Sequence, residues 1–281
     1  MKATIIGLGS MGRRRARILQ LLGVEVEGID PNLSVHGVPS VTRVSGEVVF
    51  VCTPPDVRDV VLRAEGRPCF VEKPLLIPSD RHLLEKFEGL PIYVSENLWY
   101  EPAVYGFLRS IDPGENDYLD LSVSFFYDPR ATRLGGIPYL DRIPYSVLLD
   151  SHEPNLLCMT LGRPLSVSGY FPNKWEFWGD IFWPRAKASL RLSCHDSGYL
   201  RRWQAKGQNT NIRMSIRSPA SAQKTYGLEV EDFLSLVQAG VSLRLPTWIE
   251  DVFLLHGGMI RSHHEGGREV TLWTDSQEDQ P

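Results

Sequence analysis

Cysteine is scarce in this chain, and its four cysteines (Cys52, Cys69, Cys158 and Cys194) form no CxxC pair. That spacing argues against a zinc site or a thiol redox motif, while the apolar runs around Cys52 and Cys69 suit buried thiols. Long apolar runs are missing too: nothing approaches the roughly 18 consecutive apolar residues that a membrane span requires. Charge of one sign is not in excess. A net charge of -4 gives no general attraction to nucleic acid, and the single basic patch, RRRAR (Arg13 to Arg17), is short. Internal repeats and low-complexity tracts are absent. The N-terminus enters an apolar stretch at once (ATIIG, Ala3 to Gly7), leaving no room for a leader, so a cytoplasmic location is expected. What remains, at 42% hydrophobic and 23% charged residues, is a packed globular protein whose 281 residues suit two domains.

Over residues 1–97, short β-branched runs (ATIIG, VEVEGID, VVFVCTPP, CFVEKP, IYVSEN) alternate with helical patterns ending near Leu22 or beginning near Asp56 and Ser79. Such alternation predicts an α/β domain built on a doubly wound parallel sheet. Gly23 stands where the first helix should stop. Between Asp30 and Glu47 the residues are mostly small, polar, Pro or Gly, with no helical period, so the crossover helix expected there is shortened or absent. Residues 98–281 read as an α+β domain. YLDLSVSFFY reads as an alternating strand, SLRLSC and NIRMSI alternate as antiparallel strands with one covered face, and helices are expected from Pro102, around His152, from Leu228 and from Thr247. An irregular Gly/Pro segment separates Tyr127 from the His152 helix.

The first strand runs directly into GLGSMG, a GxGxxG motif that opens a helix. Gly7 would allow a tight turn, Gly9 a close backbone approach to a pyrophosphate, and Gly12 close packing of helix on strand. Ser10 and Met11 belong to the same cofactor-facing loop, whose helix N-terminus offers free N–H groups. Asp30 ends the second strand, placed to accept hydrogen bonds from a ribose 2′-hydroxyl and to repel a 2′-phosphate. The expected cofactor is therefore NAD rather than NADP, on a Rossmann domain; the competing reading is a glycine-rich turn in a nucleotide-free α/β domain. Arg13 and Arg14 could reach phosphate or form a solvated face.

Taken in order, GLGSMG, Asp30, VCTPP (Val51 to Pro55), VEKPL (Val71 to Leu75), ENLWYEP (Glu96 to Pro102) and the His152 segment resemble the glucose-fructose oxidoreductase/inositol dehydrogenase (Gfo/Idh/MocA) family. EKP is the most specific of these elements. The resemblance implies a Rossmann domain followed by a domain with a large, mainly antiparallel open sheet, whose exposed face commonly joins subunits as homodimers or homotetramers. It also implies an NAD(P)-dependent oxidoreductase acting on a carbinol of a sugar, cyclitol or nucleotide sugar. Thr53, Pro54 and Pro55 would line the nicotinamide ribose at the carboxyl edge of the sheet. Glu72 would lie beside the cofactor, and Lys73, partly desolvated at the same edge, would hold the substrate oxygen. Lys73–Pro74 is a candidate cis peptide.

In LLDSHEPN, His152 aligns with the family's acid/base histidine. The resemblance also implies an aspartate four residues earlier, on the same helix face, but that position is Leu148. Asp150 and Asn155 are the substitutes to consider. A blander reading makes Asp150 the N-cap of a helix starting at Ser151, with Glu153 closing a capping box. Trp99 and Tyr100 follow the last Rossmann strand and are candidate substrate contacts. Trp175, Trp178, Phe182 and Trp183 could stack on a sugar, fill a core or face another subunit. His256, His263 and His264 lack a metal-ligand pattern, so no metal is expected. The altered His152 neighbourhood leaves two alternatives: reduction of an imine or conjugated double bond, or a ligand sensor or scaffold without chemistry.

Overall fold

The computed structural model describes residues 1–111, 118–126, 145–194, 199–217 and 222–272, with all their side chains except those of 56–58, 149–150 and 222–223. Two compact units emerge, one joining Met1–Tyr100 to Ala222–Ile249 and the other joining Glu101–Ser221 to Glu250–Pro281. A single division after residue 97 therefore misassigns the helix Ala222–Gln238. Its Val230, Phe233 and Leu234 share a core with Ile5, Leu19, Phe50 and Phe70 of the first unit. Helical periodicity reveals an apolar stripe without saying which sheet will cover it.

In the first unit, β1 (Lys2–Ile6), β2 (Glu25–Ile29), β3 (Val48–Val51), β4 (Cys69–Val71) and β5 (Ile92–Val94) are parallel, in the order β2-β1-β3-β4-β5. Every residue of β3 is buried, as in a strand covered on both faces. Helix α1 (Ser10–Leu21) returns the chain from β1 to β2, and Gly23 follows its end with a φ of +73°. Because β1 neighbours both β2 and β3, the connections leave it in opposite directions. This is the switch point at which such sheets bind ligands beyond their carboxyl ends.

No helix joins β2 to β3, as the composition of residues 30–47 implied. The segment instead lies along β2: Gly28 N–H donates to the Pro39 carbonyl and Val41 N–H to the Gly28 carbonyl, both at 2.9 Å. An edge that would otherwise stay unpaired is thus covered. Under the segment, the buried Glu27 carboxylate accepts from Lys2 (2.7 Å), Thr4 (2.5 Å) and the Ser45 hydroxyl (2.8 Å). Burial alone would raise its pKa, but these hydrogen bonds hold it at about 2. The helix expected from Asp56 is a 3-10 helix, Pro55–Ala64.

The second unit is built on a seven-stranded sheet of β6 (Leu119–Phe126), β7 (Ser166–Asn173), β8 (Glu176–Trp183), β9 (Ala186–Ser193), β10 (Leu200–Lys206), β11 (Asn211–Ile216) and β12 (Val270–Thr271). Its order is β11-β10-β6-β9-β8-β7-β12, and only β6 and β9 pair in parallel. Leu119, Leu121, Val123 and Phe125 face the core while Asp120 and Ser122 face outward, the alternation read from the sequence. Fully buried Trp203 meets Phe107 of the helix Pro102–Arg109 edge-on, with ring centroids 5.5 Å apart. Strand alternation also divides the aromatic group. Trp183 is buried, its indole N–H donating to the Gly162 carbonyl (2.9 Å), whereas Trp178 lies on the outer face, 4.8 Å from the Arg191 guanidinium. Among the described residues no helix is long and apolar enough to cross a membrane. The Gly/Pro segment of residues 128–144 lies outside the described residues.

Candidate active site

At the end of β1 the three glycines of GLGSMG have three different reasons to be glycine. Gly7 turns with a φ of +90°, and a Cβ there would sit 3.0 Å from the backbone of Cys52 and Thr53, just beyond the end of the neighbouring strand β3. A Cβ on Gly12 would lie 1.9 Å from the Gly7 carbonyl oxygen, so the helix packs on the strand only without one. Gly9 has an ordinary φ of -66° and open space where its Cβ would be. As the N-cap it brings no side-chain acceptor to the first turn of α1, whose N–H groups at Ser10 and Met11 are left for an anion. These features fit a pyrophosphate.

Asp30 is tied to the same loop. One carboxylate oxygen accepts from Leu8 N–H at 2.7 Å, and the other from Asn32 and Leu33 N–H at 2.9 Å each. Carboxylate oxygens have further lone pairs, so this anchoring is compatible with a ribose hydroxyl. Arg13 and Arg14 turn elsewhere: Arg13 Nε donates to the Leu8 carbonyl at 3.2 Å, and Arg14 lies 4.5 Å from the Tyr226 ring centroid.

The carboxyl ends of β3 and β4 carry the next residues. Thr53 and Pro54 are half-buried and Pro55 begins the 3-10 helix. Lys73 is half-buried at the same sheet edge, and Lys73–Pro74 is cis, as expected. Glu72, beside Lys73, is buried and accepts from Arg15 Nε at 2.7 Å. Arg15, fully buried in α1, also binds Glu229 at 2.8 Å and the Ser95 hydroxyl at 2.9 Å. A residue just after the strand end is free to turn inward when a buried cation attracts it, and sequence position does not reveal that cation.

Glu229 is fully buried, with one oxygen accepting from Glu96 N–H at 2.5 Å. Burial lifts its carboxyl from 4.5 to about 7; Arg15 opposes the rise, and Glu72, sharing the same guanidinium, adds to it. A folded-state pKa above the unfolded one gives stability that is present below 4.5 and lost as pH rises through about 7. Glu229→Gln should remove this slope. Measured by urea unfolding, the stability difference between variant and natural chain should move in the variant's favour by about 2–3 kcal/mol between acidic and mildly alkaline pH. A pH-independent difference would disprove the assignment.

Around His152 one helix becomes two, Ser146–Asp150 and Glu153–Leu161, with His152 as N-cap of the second. The expected capping box from Asp150 to Glu153 is therefore not formed: Asp150 closes the first helix, and its side chain lies outside the described residues. Glu153 opens the second helix fully buried. Its two oxygens accept from His152 N–H and from Arg201 Nε, each at 2.9 Å. Arg201 is itself buried, 4.2 Å from the Phe125 ring centroid. His152 and Asn155 are buried in this turn, and Leu148 is a core residue. No carboxylate stands four residues before the histidine. Of the two aromatic candidates, Trp99 is half-buried, and the Tyr100 hydroxyl is engaged by Tyr93 (2.5 Å) and Asp232 (2.6 Å).

Solved structures that match this architecture include three dehydrogenases. Scyllo-inositol dehydrogenase from Lactobacillus casei superposes with a TM-score of 0.73 at 13% identity, over 97% of this chain and 98% of its own. The WlbA (WbpB) dehydrogenase from Thermus thermophilus, in complex with NAD and alpha-ketoglutarate, gives 0.71 at 15% identity over 90% and 92%. UDP-N-acetylglucosamine 3-dehydrogenase GnnA from Acidithiobacillus ferrooxidans gives 0.71 at 16% identity over 95% and 99%. The chain has the fold of these dehydrogenases. No family model matches the sequence, and no curated protein matches it. The dehydrogenase fold can survive such divergence because strand periodicity and burial tolerate many apolar exchanges, whereas chemistry depends on individual side chains.

Within the dehydrogenase fold, the buried charges Arg15, Glu229 and Arg201 were not singled out from the sequence. One signal for Arg15 existed: with Gly12, Ala16 and Leu19 it lies on the buried face of α1, at helical spacing. Arg201 and Glu229 lie far in sequence from the opposite charges they pair with, Glu153 and Arg15, so no local charge pattern announces them. The His263 and His264 rings are also placed. His263 Nδ1 accepts from Phe171 N–H at 3.2 Å, and His264 Nε2 lies 3.1 Å from the Tyr145 hydroxyl.

Proposed function

We propose that this chain is an NAD-dependent oxidoreductase of the Gfo/Idh/MocA type, acting on a carbinol or the matching carbonyl of a sugar, cyclitol or nucleotide-sugar-like molecule. The observation that carries the reading is the glycine loop: open space at Gly9, packing that excludes a side chain at Gly12, and Asp30 anchored to Leu8 N–H at the same sheet edge as Lys73. Two fold neighbours add support: both are dehydrogenases, and one of them was solved in complex with NAD.

Gly7, Gly9, Ser10, Met11 and Gly12 would hold the pyrophosphate, Asp30 the adenosine ribose, and Thr53, Pro54 and Pro55 the nicotinamide ribose. When bound, the nicotinamide supplies the hydride acceptor or donor. The Lys73 ammonium holds the substrate oxygen and stabilises the negative charge that grows on it. His152 takes or gives the hydroxyl proton, a task suited to an imidazole near neutral pH. Trp99 and Asn155 are proposed substrate contacts, and Asp150 the remaining candidate to orient His152. A cytoplasmic enzyme of carbohydrate metabolism is the setting this reading implies.

Mixing the protein with NAD and a panel of sugars, cyclitols and nucleotide sugars should raise the near-ultraviolet absorbance of reduced nicotinamide. NAD binding without turnover on any of them would defeat the substrate reading and favour the imine or conjugated-alkene alternative, in which one acid suffices and the buried Leu148 costs nothing. Lys73→Met should lower kcat about a hundredfold while leaving NAD affinity nearly unchanged. Equal losses in both would make Lys73 a cofactor ligand.

Assembly through the outer face of the seven-stranded sheet is part of the same proposal. Tyr170 is exposed there, beside Trp178 and Arg191, and a shallow depression of about 460 Å³ lies among these residues and Asp180. Light scattering should report a dimer or tetramer that Trp178→Glu dissociates. An unchanged mass in that variant would argue against this face.

A further inference from the structure

The geometry points to Arg15 as the positioning residue of the Lys73 turn. The inference rests on the reading of Lys73 as the group that holds the substrate oxygen, and concerns how that ammonium is kept in register with the glycine loop. Arg15 lies six residues after Gly9, in the helix whose N-terminus forms the loop. From there its guanidinium makes four hydrogen bonds: to Glu72 (2.7 Å), the Tyr226 carbonyl (3.2 Å), the Ser95 hydroxyl (2.9 Å) and Glu229 (2.8 Å). Its carbon centre lies 4.5 Å from the ring centroid of Phe70, a β4 residue two positions before Glu72.

One side chain thereby joins α1, the end of β4, the turn after β5 and the helix Ala222–Gln238. Glu72 is held twice, by Arg15 through its carboxylate and by the Val51 carbonyl, 3.0 Å away, through its N–H. Lys73 is the next residue. A planar guanidinium fixes direction as well as distance, which an ammonium does not. Transfer between two bound groups is sensitive to displacements of about 1 Å, so a rigid link between the loop and the lysine would govern rate more than affinity.

The test uses Arg15→Lys, which keeps the charge but not the fork, and Glu72→Gln, which keeps the shape but weakens the bond. Lysine acetylation by N-hydroxysuccinimidyl acetate, followed by peptide mass spectrometry, gives the labelling rate of Lys73 relative to Lys2 in the same unit. Both variants should raise that ratio at least about fivefold, because the turn opens locally while the rest of the unit stays closed. NADH affinity, from fluorescence titration, should change much less than kcat on whichever substrate the natural chain turns over. A Lys73/Lys2 ratio that stays at the natural value in both variants overturns the inference, as does a parallel rise at both lysines. Failure of the natural chain to bind NADH would instead sink the proposed function, and the labelling ratio would still decide whether Arg15 holds the turn.

Discussion

Gly12→Ala should unfold or severely loosen the first unit, whereas Gly9→Ala, three residues away in the same motif, should leave it intact. The added methyl at position 12 would lie 1.9 Å from the Gly7 carbonyl oxygen and 2.9 Å from its carbon. Both are backbone atoms in a turn that is itself fixed, since Gly7 N–H donates to the Ile29 carbonyl at 2.9 Å. No rotamer change relieves such a clash, so α1 must lift off the sheet, with an expected loss of more than about 3 kcal/mol in urea unfolding. Gly9→Ala meets nothing within 4 Å and keeps an ordinary φ, so stability should change by less than about 0.5 kcal/mol. Its methyl would nevertheless stand where a pyrophosphate must approach, and NADH affinity should fall at least about tenfold. A Gly9→Ala chain that is stable and binds NADH normally would remove the dinucleotide assignment of the loop, and a stable Gly12→Ala chain would contradict the packing.

Arg201→Met should destabilise the second unit by about 3–5 kcal/mol, although the methionine fills much of the same apolar volume. The cause is what remains: a Glu153 carboxylate with no exposed surface, deprived of the cation that binds it at 2.9 Å. The partner substitution separates this from simple loss of packing. Adding Glu153→Gln to Arg201→Met should recover part of the loss, because the stranded charge is gone, and the two effects should be far from additive. Strict additivity, measured by urea unfolding of the four chains, would show that the pair is not coupled. The same carboxylate accepts the His152 N–H, so Arg201→Met should also disturb the N-cap on which the proposed acid/base sits.

These two results depend on different kinds of information. The glycine loop was legible because its constraints are local: a turn, a helix start and a close approach fall within six consecutive residues, and only glycine meets the first and last of them. The parallel sheet, the shortened or absent crossover helix and the candidate cis Lys73–Pro74 bond were likewise available from runs of neighbouring residues. The His152 segment was half legible. Its helix was anticipated, but the break after Asp150 was not, because Glu153 is drawn inward by Arg201, almost fifty positions later in the chain.

By itself, then, the sequence determined the class of each unit, the glycine loop and the absence of an aspartate four residues before His152, all of which follow from periodicity, turn chemistry and residue identity. Only the tertiary structure decided where the buried charges go. Glu72 pairs with Arg15, and the helix carrying Glu229 packs in the first unit rather than the second. The physical reason is the cost of burying a charge: an ion excluded from water is placed by whichever opposite charge the fold brings near, and that partner can come from any part of the chain.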